Sequence, residues 1–493
     1  WSSDVCSSDL TFIHLSDLHI CDAASPARLE FLDRIADPDN PLSAMVPYVG
    51  TYRAQEFLTT QVLESMVQAV NEIQSGPLLN AAVDAVIITG DVVDNAQKNE
   101  LEWYKAILEG QEVNPQSGAS DKPTGPFVSD PDTYDPHYYH PDGAPEGFEE
   151  DRPHLLHGFP IFKGVTAGSL SPFSATGLHH RWFAIHGNHD ALLQGTAQPT
   201  PALEALATGS AKLAGLGENS NLQDLFDAFG EVGPAKYPGI ESLETKPATA
   251  DAKRSLVAIE DWVRIHTECG HDHGLNENEN QISYWFRDFG NDLRLIALDT
   301  VNRFGGWQGC IHREQLIWLR NLLIASKDKY VVLTSHHPLS DLFNGYHPSG
   351  EEPPALENEV LQLLKDFSNV IAWISGHVHD HKISKRVQTD GTHMFWEIRT
   401  GSHIDWPQQS RSIEIARTDD GKIVIGNVLI DHKGPIDFKG SVEECNSPVA
   451  LSGLSRQLAA NDWQRQFGDF AVSLAEGVPE DRNIYLYAPD PLA

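Results

Sequence analysis

Five short apolar runs that end in polar side chains constrain the fold more than any other feature of the chain. The runs are TFIHLSDLH (11–19), DAVIITGDVVD (84–94), RWFAIHGNHD (181–190), KYVVLTSHHP (329–338) and NVIAWISGHVHD (369–380). Each is rich in β-branched and aromatic residues and is closed by a turn, which predicts a buried strand. Apolar side chains recur at helical spacing over 54–74, so the first two runs and this segment predict a β-strand–helix–β-strand unit. Such sheets bind ligands at the carboxyl ends of parallel strands, where these polar residues lie.

The remaining segments predict further elements and two long insertions. Residues 282–300 (ISYWFRDFGNDLRLIALDT) predict an antiparallel hairpin, residues 312–326 a helix, and residues 393–432 several strands. The insertion at about 111–180 is rich in Pro, Gly, Asp and His, and the insertion at about 191–280 contains helical pieces. Loops of this length are usually disordered or functional.

The composition excludes several classes of function. The 493 residues include 35 basic and 70 acidic side chains, a net charge of −35. A nucleic-acid partner is not expected, because binding to phosphate backbones requires clustered Lys and Arg. No apolar stretch approaches 18 residues, so no membrane span is expected. The five cysteines are scattered without a CxxC pair, which favours neither a disulfide framework nor a zinc ribbon.

The first ten residues, WSSDVCSSDL, match the translation of a common sequencing-library adapter at every position. The alternative is a native disordered N-terminus. We interpret residues 1–10, including Cys6, as non-native and leave them out of the functional argument. On this interpretation the native N-terminus, with any export signal, has been lost.

The polar strand ends form an ordered series of motifs. They are Asp17-x-His19, Gly90-Asp91, Gly187-Asn188-His189-Asp190, His336-x-Pro338 and Gly376-His377-x-His379. The series resembles the calcineurin-like metallophosphoesterase superfamily, which includes purple acid phosphatases and class III cyclic-nucleotide phosphodiesterases. One motif alone is a weak signal, whereas five in the family's order, each closing a predicted strand, are a strong one.

The resemblance implies an α/β fold, a four-layer αββα sandwich in which two mixed β-sheets lie face to face with helices outside. Residues 11–440 would form the catalytic domain, interrupted by the two insertions. Residues 441–493 would form a C-terminal extension that packs on that domain.

The resemblance also implies a centre of two metal ions. Asp17, His19 and His379 would hold one ion, Asn188, His336 and His377 would hold the other, and Asp91 would bridge them. Two cations about 3.5–4 Å apart can clamp an in-line displacement at phosphorus. Ligand shells of nitrogen and oxygen without thiolate suit Mn, Fe or Zn, and the sequence does not choose among these metals. The His-x-Pro pattern selects His336 as the ligand and leaves His337 as a residue beside the metal or in the substrate pocket.

The reaction implied by the resemblance is hydrolysis of a small-molecule phosphate ester by a metal-bridging hydroxide. His189 would be the general acid that protonates the leaving oxygen, and Asp190 would orient or charge-stabilise its imidazole. In TGSHIDWPQQSR (400–411), His403 and Arg411 are candidate phosphate contacts and Trp406 a candidate pocket wall. The alternative is that Trp406-Pro407 caps a strand while Arg411 pairs with a carboxylate.

Two local features of the sequence, Asp94 and the long insertions, bear on substrate preference and cellular location. In GDVVD (90–94), Asp94 stands where purple acid phosphatases have tyrosine, which favours phosphodiesters or broad specificity. The alternatives are a phosphomonoesterase acting on nucleotides or sugar phosphates and a non-catalytic, metal-stabilised binding protein.

The long insertions resemble those of a bacterial branch whose members commonly carry twin-arginine signals, which implies export to the periplasm. A second Gly-His-x-His pattern, at 270–273, is interpreted as a surface loop, and the alternative is a separate metal site. The sequence does not indicate an oligomeric state.

Overall fold

The computed structural model describes residues 9–46, 48–119, 122–216, 243–269, 273, 275, 281–388, 390–466, 468 and 471–493. The strands are β1 (Leu10–Leu15), β2 (Val83–Ile88), β3 (Glu112–Val113), β4 (Phe173–Ser174), β5 (Trp182–Ala184), β6 (Ala211–Leu216), β7 (Leu243–Pro247), β8 (Trp285–Phe289), β9 (Leu293–Leu298), β10 (Tyr330–Ser335), β11 (Val370–Ser375), β12 (Lys382–Val387), β13 (His393–Arg399), β14 (Gln409–Arg417), β15 (Lys422–Asp431) and β16 (Ile484–Pro489).

The helices are α1 (Thr59–Asn71), α2 (Lys98–Leu108), α3 (Arg152–His157), α4 (Val165–Ser169), α5 (Asn188–Ala191), α6 (Pro201–Ala207), α7 (Ile259–Thr267), α8 (Arg313–Ile324), α9 (Glu357–Leu364), α10 (Val442–Cys445), α11 (Pro448–Ala460) and α12 (Val472–Ala475). Short 3₁₀ helices include Glu30–Ala36 and Leu339–Asp341. Among the described residues, no helix is both long enough and apolar enough to cross a bilayer.

Two six-stranded mixed sheets form the centre of the fold. The first has the order β16-β15-β14-β1-β2-β5 and the second the order β12-β13-β11-β10-β9-β8. The strands β1, β2 and β5 run parallel, as do β9, β10, β11 and β13, while β14, β15, β16, β8 and β12 pair antiparallel. The two sheets therefore bring the carboxyl ends of β1, β2, β5, β10 and β11, which carry the five motifs, to the site described below.

The two sheets face one another across a shared core, and helices cover their outer faces. Apolar residues of both sheets, such as Ile87 and Val332, are buried in one cluster. On the outer face of the first sheet Met66 of α1 and Tyr104 of α2 are buried, and on that of the second sheet Leu319 of α8 is buried. This arrangement confirms the expected four-layer αββα sandwich, since both amphipathic helices and buried strands occur where their periodicity predicts them.

The described parts of the two insertions are packed against the sandwich. In the first insertion Phe127, Tyr139 and Phe159 are buried together with Leu454 of α11. In the second, β6 and β7 pair antiparallel, and Leu213 of β6 is buried against the 3₁₀ helix Glu30–Ala36. The C-terminal strand β16 pairs with β15 at the edge of the first sheet. The domain boundaries drawn from the sequence stay a prediction.

Candidate metal centre

The loops that follow the sheet strands adopt an unusual backbone conformation at five of the predicted ligands. They are Asp17 (φ 51°), His19 (44°), Asp91 (47°), His377 (71°) and His379 (59°). These values lie in the left-handed region, which costs L-residues free energy and is most often visited by Asn, Asp and His. Residues held in this region concentrate at functional sites, because the surrounding structure must impose the conformation.

Glycines let the loops approach one another closely enough for the side chains to meet. A Cβ atom at Gly376 would lie 1.7 Å from Ser16 Oγ and 2.4 Å from Asp17 Oδ2. A Cβ atom at Gly90 would lie 2.9 Å from both the Gly187 backbone and His336 Nδ1. Any side chain at these two positions would therefore push the metal-binding loops apart.

The predicted ligands converge on one buried centre. Asp91 Oδ2 lies 3.2 Å from His336 Nε2 and 3.6 Å from His19 Nε2. Asp17 Oδ1 lies 3.4 Å from His379 Nε2. The remaining two predicted ligands adjoin His336, whose Nε2 is 2.9 Å from Asn188 Oδ1 and 3.1 Å from His377 Nδ1. Segments separated by up to 360 residues thus place carboxylate, amide and imidazole groups within reach of one another.

The donor set fits two divalent cations. One group that could hold an ion consists of Asp17, His19 and His379, and another consists of Asp17, Asp91 and His336. His19 Nε2 is buried and makes no hydrogen bond among the described residues, so its lone pair is available to a cation. Buried polar atoms rarely lack a partner, and an ion is one of the recognised explanations.

The charges at the centre are strongly coupled. Burial alone would raise the pKa of Asp91, but the imidazoles of His336 and His189 outweigh it and hold the pKa well below its usual range. Burial alone would lower the pKa of His336, but Asp91 and Asp17 raise it to about 9. Cation binding at such a centre requires release of imidazole protons, because only neutral imidazole coordinates a metal.

Hydrogen bonds to the opposite ring nitrogens orient the metal-facing histidines. His19 Nδ1 is 2.9 Å from Asp94 Oδ1, and His336 Nδ1 is 2.7 Å from the carbonyl of Thr89. His379 Nδ1 is 2.7 Å from Asp405 Oδ2. An Nδ1–H donated to these oxygens directs each Nε2 toward the centre, where it can coordinate a cation once its proton has been released, a common arrangement around metal-binding histidines.

Buried arginines hold the orienting carboxylates in turn. Arg28 contacts Asp94 and lies 2.7 Å from Glu56 Oε2. Arg53 Nε donates to Asp405 Oδ1 over 2.7 Å, and Arg465 Nη1 lies 3.2 Å from Asp405 Oδ2. The motif-based reasoning did not identify Asp405 or these arginines as parts of the site. The only available signal was the position of Asp405 within the nominated 400–411 segment.

His189 lies at the rim of the centre. Its backbone N–H donates to Asp91 Oδ1 over 2.8 Å, and its Nδ1 is 2.7 Å from the carbonyl of Asp94. The side chain is 21% exposed and lines a cleft of about 440 Å³ that also contains His377, His379 and Trp307. Nε2 is therefore the nitrogen available to a substrate.

Asp190 makes no hydrogen bond to the His189 ring, so the expectation that it orients the ring is wrong, while its charge-stabilising role stays a prediction. Its carboxylate accepts hydrogen bonds from the backbone N–H groups of Gly187, Val92 and Val93, at 2.8–3.1 Å. Asp190 instead joins the loops that carry Asp91 and His189, and the carbonyl of Asp94 orients the ring.

The nominated phosphate contacts His403 and Arg411 are wrong as well. Arg411 is fully buried and donates to the carbonyls of Asp481 (2.7 Å) and Arg482 (3.0 Å). His403 is 1% exposed, and its Nε2 lies 2.9 Å from Ser410 Oγ. Arg411 belongs to β14, a central strand of the first sheet, so its side chain is enclosed by the fold.

Two further nominated residues lie near the cleft without lining it. Trp406 donates to Glu476 Oε1 over 3.0 Å and is absent from the cleft wall. His337 is buried between Thr300 Oγ1 and the carbonyl of Trp307, with its ring centroid 4.3 Å from that of His377. His337 therefore supports His377 from behind, and Trp307, which the sequence did not single out, forms the exposed wall in front of it.

The second Gly-His-x-His pattern is only partly described, because residues 270–272 lie outside the described residues. His273 is 2% exposed and its ring centroid is 4.3 Å from that of Trp182. It is thus a buried residue behind the first sheet, which corrects the expectation of a surface loop at this position.

Comparison with known proteins agrees with the fold and the motifs. The family model described as calcineurin-like phosphoesterase matches residues 155–381, a range that contains the last three motifs. The chain thus matches the calcineurin-like phosphoesterase family over this range, which confirms the resemblance drawn from the motifs.

Individual proteins match over very different shares of the chain. Over 103 residues the chain is 31% identical to a protein of Arcobacter nitrofigilis named "Probable glycerophosphodiester phosphodiesterase GpdQ", a match that spans 21% of this chain and 36% of that relative. The solved structures include a dimetal phosphatase from Danio rerio (TM-score 0.35, 14% identity, 86% of this chain and 99% of that one). They also include a structure of PhoD (TM-score 0.36, 10% identity, 85% and 65%).

Proposed function

We propose that the protein hydrolyses phosphodiesters at a centre of two divalent cations, with His189 as the general acid. The observation that carries this proposal is the convergence of Asp17, Asp91, His336 and His379 on one buried centre beside the exposed ring edge of His189. When bound, two such cations polarise the phosphoryl group and lower the pKa of a coordinated water.

The residues of the chain have distinct roles in cation binding and in proton transfer. We assign Asp17, His19 and His379 to one cation and Asn188, His336 and His377 to the other, with Asp91 between them. The carbonyl of Asp94 holds a proton at His189 Nδ1, so donation to a leaving oxygen requires a second proton at Nε2. Burial lowers the pKa of His189 to about 4, which opposes that second proton, and the carboxylates of Asp91 and Asp94 offset part of this effect.

A binding scaffold without turnover would need the ligands but not His189. A general acid contributes about 10²–10⁴-fold in rate, but it adds nothing to metal binding. Its position in the cleft therefore favours catalysis over the non-catalytic alternative.

The charge of the cleft supports a diester over a monoester. Besides Asp91, which is assigned to the cations, the acidic residues among the described lining residues are Asp341, Asp380 and Asp405. The two guanidinium groups, of Arg53 and Arg465, both contact Asp405. A diester carries one negative charge and a monoester carries up to two. The acidic side chains of the cleft therefore repel a monoester more strongly than a diester. The name of the bacterial relative also denotes a phosphodiesterase.

The test uses the full chain freed of metal with a chelator and reloaded with Mn²⁺, Fe²⁺ or Zn²⁺. We expect kcat/KM for bis(p-nitrophenyl) phosphate to exceed that for p-nitrophenyl phosphate, and the chelator to abolish both activities. Faster monoester turnover with every metal would favour the phosphomonoesterase alternative. Turnover of neither ester would favour the binding protein.

A further inference from the structure

A second cavity adjoins the metal cleft beside His189. It has a volume of about 520 Å³, within the range of small-molecule sites. The two cavities share six lining residues, which are Tyr48, Val49, Gly50, Arg53, His189 and Trp307. A molecule bound at the metal centre can thus extend past His189 into this second space, which we call the side cavity.

The wall of the side cavity is mainly hydrocarbon. Leu29, Leu32 and Ile35, at the start of and within the 3₁₀ helix Glu30–Ala36, line it together with Val46 and the shared Val49. The first three are buried in a cluster that also contains residues of the second insertion, so packing holds this wall in place.

Several polar groups of the side cavity are engaged with the protein, while Thr51 Oγ1 is buried and makes no hydrogen bond among the described residues. Arg28 contacts Glu30, Glu56 and Asp94. Gln194 Oε1 accepts a hydrogen bond from the backbone N–H of Leu29 over 2.8 Å, and Arg53 donates to Asp405. The charged groups of the wall are thus already paired, and most of the remaining surface is hydrocarbon, which favours an apolar ligand over a strongly polar one.

The position of His189 connects the cavity to the reaction. A general acid must lie within hydrogen-bond reach of the leaving oxygen, so the carbon atoms of the leaving group continue from that oxygen on the side of His189. Resting on the proposed function, we infer that the side cavity binds the hydrocarbon part of the leaving alcohol. The substrates are then phosphodiesters of single-chain alkyl or aryl alcohols.

The first experiment uses methyl n-alkyl phosphates with leaving chains from methyl to octyl and the metal-loaded full chain, with the released alcohol identified. Primary alkanols differ little in acidity, so the series varies the apolar surface alone. We expect kcat/KM for release of the longer alcohol to rise about fourfold per methylene, equivalent to about 0.8 kcal/mol, until the cavity is filled. A propyl leaving group should be preferred to 2,3-dihydroxypropyl by at least tenfold.

The second experiment measures binding without turnover. Octylphosphonate should bind at least tenfold more tightly than methylphosphonate in calorimetric titration of the metal-loaded protein. Val46→Asn, at a partly buried residue that lines the side cavity but not the metal cleft, should lower both octyl-to-methyl ratios about tenfold. Val387→Asn, on the exposed strand β12, is the matched control and should leave the ratios unchanged.

The outcomes separate the inference from the proposed function. Diester turnover without chain-length dependence, or equal binding of the two phosphonates, would overturn the inference and leave the proposed function standing. A preference for octyl that Val46→Asn does not reduce would also overturn it. Tighter octylphosphonate binding that depends on Val46, in a protein that hydrolyses no diester, would support the cavity assignment while rejecting the proposed function.

Discussion

Asp94 Oδ1 lies 2.9 Å from His19 Nδ1, and this hydrogen bond turns the ring so that Nε2 lies 3.6 Å from Asp91 Oδ2. Asp94 occupies the position at which the sequence comparison noted tyrosine in purple acid phosphatases. In this protein the residue acts on the metal centre through His19 and is itself held by the buried Arg28.

Asp94→Asn should weaken cation binding about 10–100-fold, because the amide no longer provides a charged acceptor for His19 Nδ1–H. The free energy of unfolding should also fall by about 2 kcal/mol or more, since Arg28 stays buried with less compensation. Calorimetric metal titration and urea unfolding measure the two effects. The exposed Asp420→Asn is the control, and an unchanged cation affinity in Asp94→Asn would contradict the role.

Asp405→Asn should change the substrate preference of the cleft. The substitution removes the carboxylate that His379, Arg53 and Arg465 share, so the two guanidinium groups become available to a dianion. The ratio of kcat/KM for p-nitrophenyl phosphate to that for bis(p-nitrophenyl) phosphate should rise about tenfold. Asp437→Asn, at the exposed surface, should leave the ratio as in the wild type. A constant ratio in Asp405→Asn would argue against charge control of specificity.

His189→Ala should keep its metal content, because the ring supplies a proton and is not one of the assigned ligands. Turnover should fall about 10²–10⁴-fold for alkyl esters and much less for p-nitrophenyl esters, whose leaving groups need little protonation. Metal analysis and steady-state kinetics on both ester types provide the test. Equal losses for good and poor leaving groups would count against the acid role.

Asp135→Asn should lower stability in a pH-dependent way. Burial would raise the pKa of Asp135, but the hydrogen bond from His137 and the charges of Arg34 and Lys246 outweigh it and hold the pKa well below its usual range. The carboxylate therefore stabilises the fold fully above pH of about 4, the unfolded value, and loses this contribution as the pH falls toward the folded pKa.

At pH 7 the difference in unfolding free energy between wild type and Asp135→Asn should be about 2–3 kcal/mol, and it should shrink steadily below pH 4. Urea unfolding at a series of pH values measures it. Asp132→Asn, which removes a carboxylate from an exposed pair with Lys122, should change stability by less than about 0.5 kcal/mol at any pH. A difference that grows on acidification would contradict the sign.

Arg411→Met should destabilise the protein without altering the chemistry of the folded fraction. The substitution removes the donors to the carbonyls of Asp481 and Arg482, which tie the C-terminal segment to β14. A loss of about 3–6 kcal/mol is expected, since each of the two bonds from this buried charged group contributes about 1.5–3 kcal/mol. Thermal unfolding and KM measured well below the transition are the readouts. A large rise in KM with unchanged stability would restore Arg411 as a phosphate contact.

The strands and the convergence of their polar ends were predictable, because buried parallel strands have a distinct composition and share one functional edge. The orienting contacts were not predictable. Asp94 is separated from His19 by 75 residues and Asp405 from His379 by 26, so only the folded loops reveal these pairs. In the 400–411 segment the residue types favoured Arg411, but the path of β14 encloses that side chain while the preceding loop presents Asp405. Export and the non-native origin of residues 1–10 stay predictions.

Five residues of the metal-binding loops adopt a left-handed backbone conformation, and this affects the order in which the protein loses its properties on destabilisation. At about 1–3 kcal/mol each, their combined conformational cost rivals the net stability of an ordinary domain. The two sheets, together with the hydrogen bonds that Asp190 accepts from Gly187, Val92 and Val93, hold these loops in place. Destabilising substitutions in the sandwich, far from the centre, should therefore first cause loss of the bound cations, while most of the molecule is still folded.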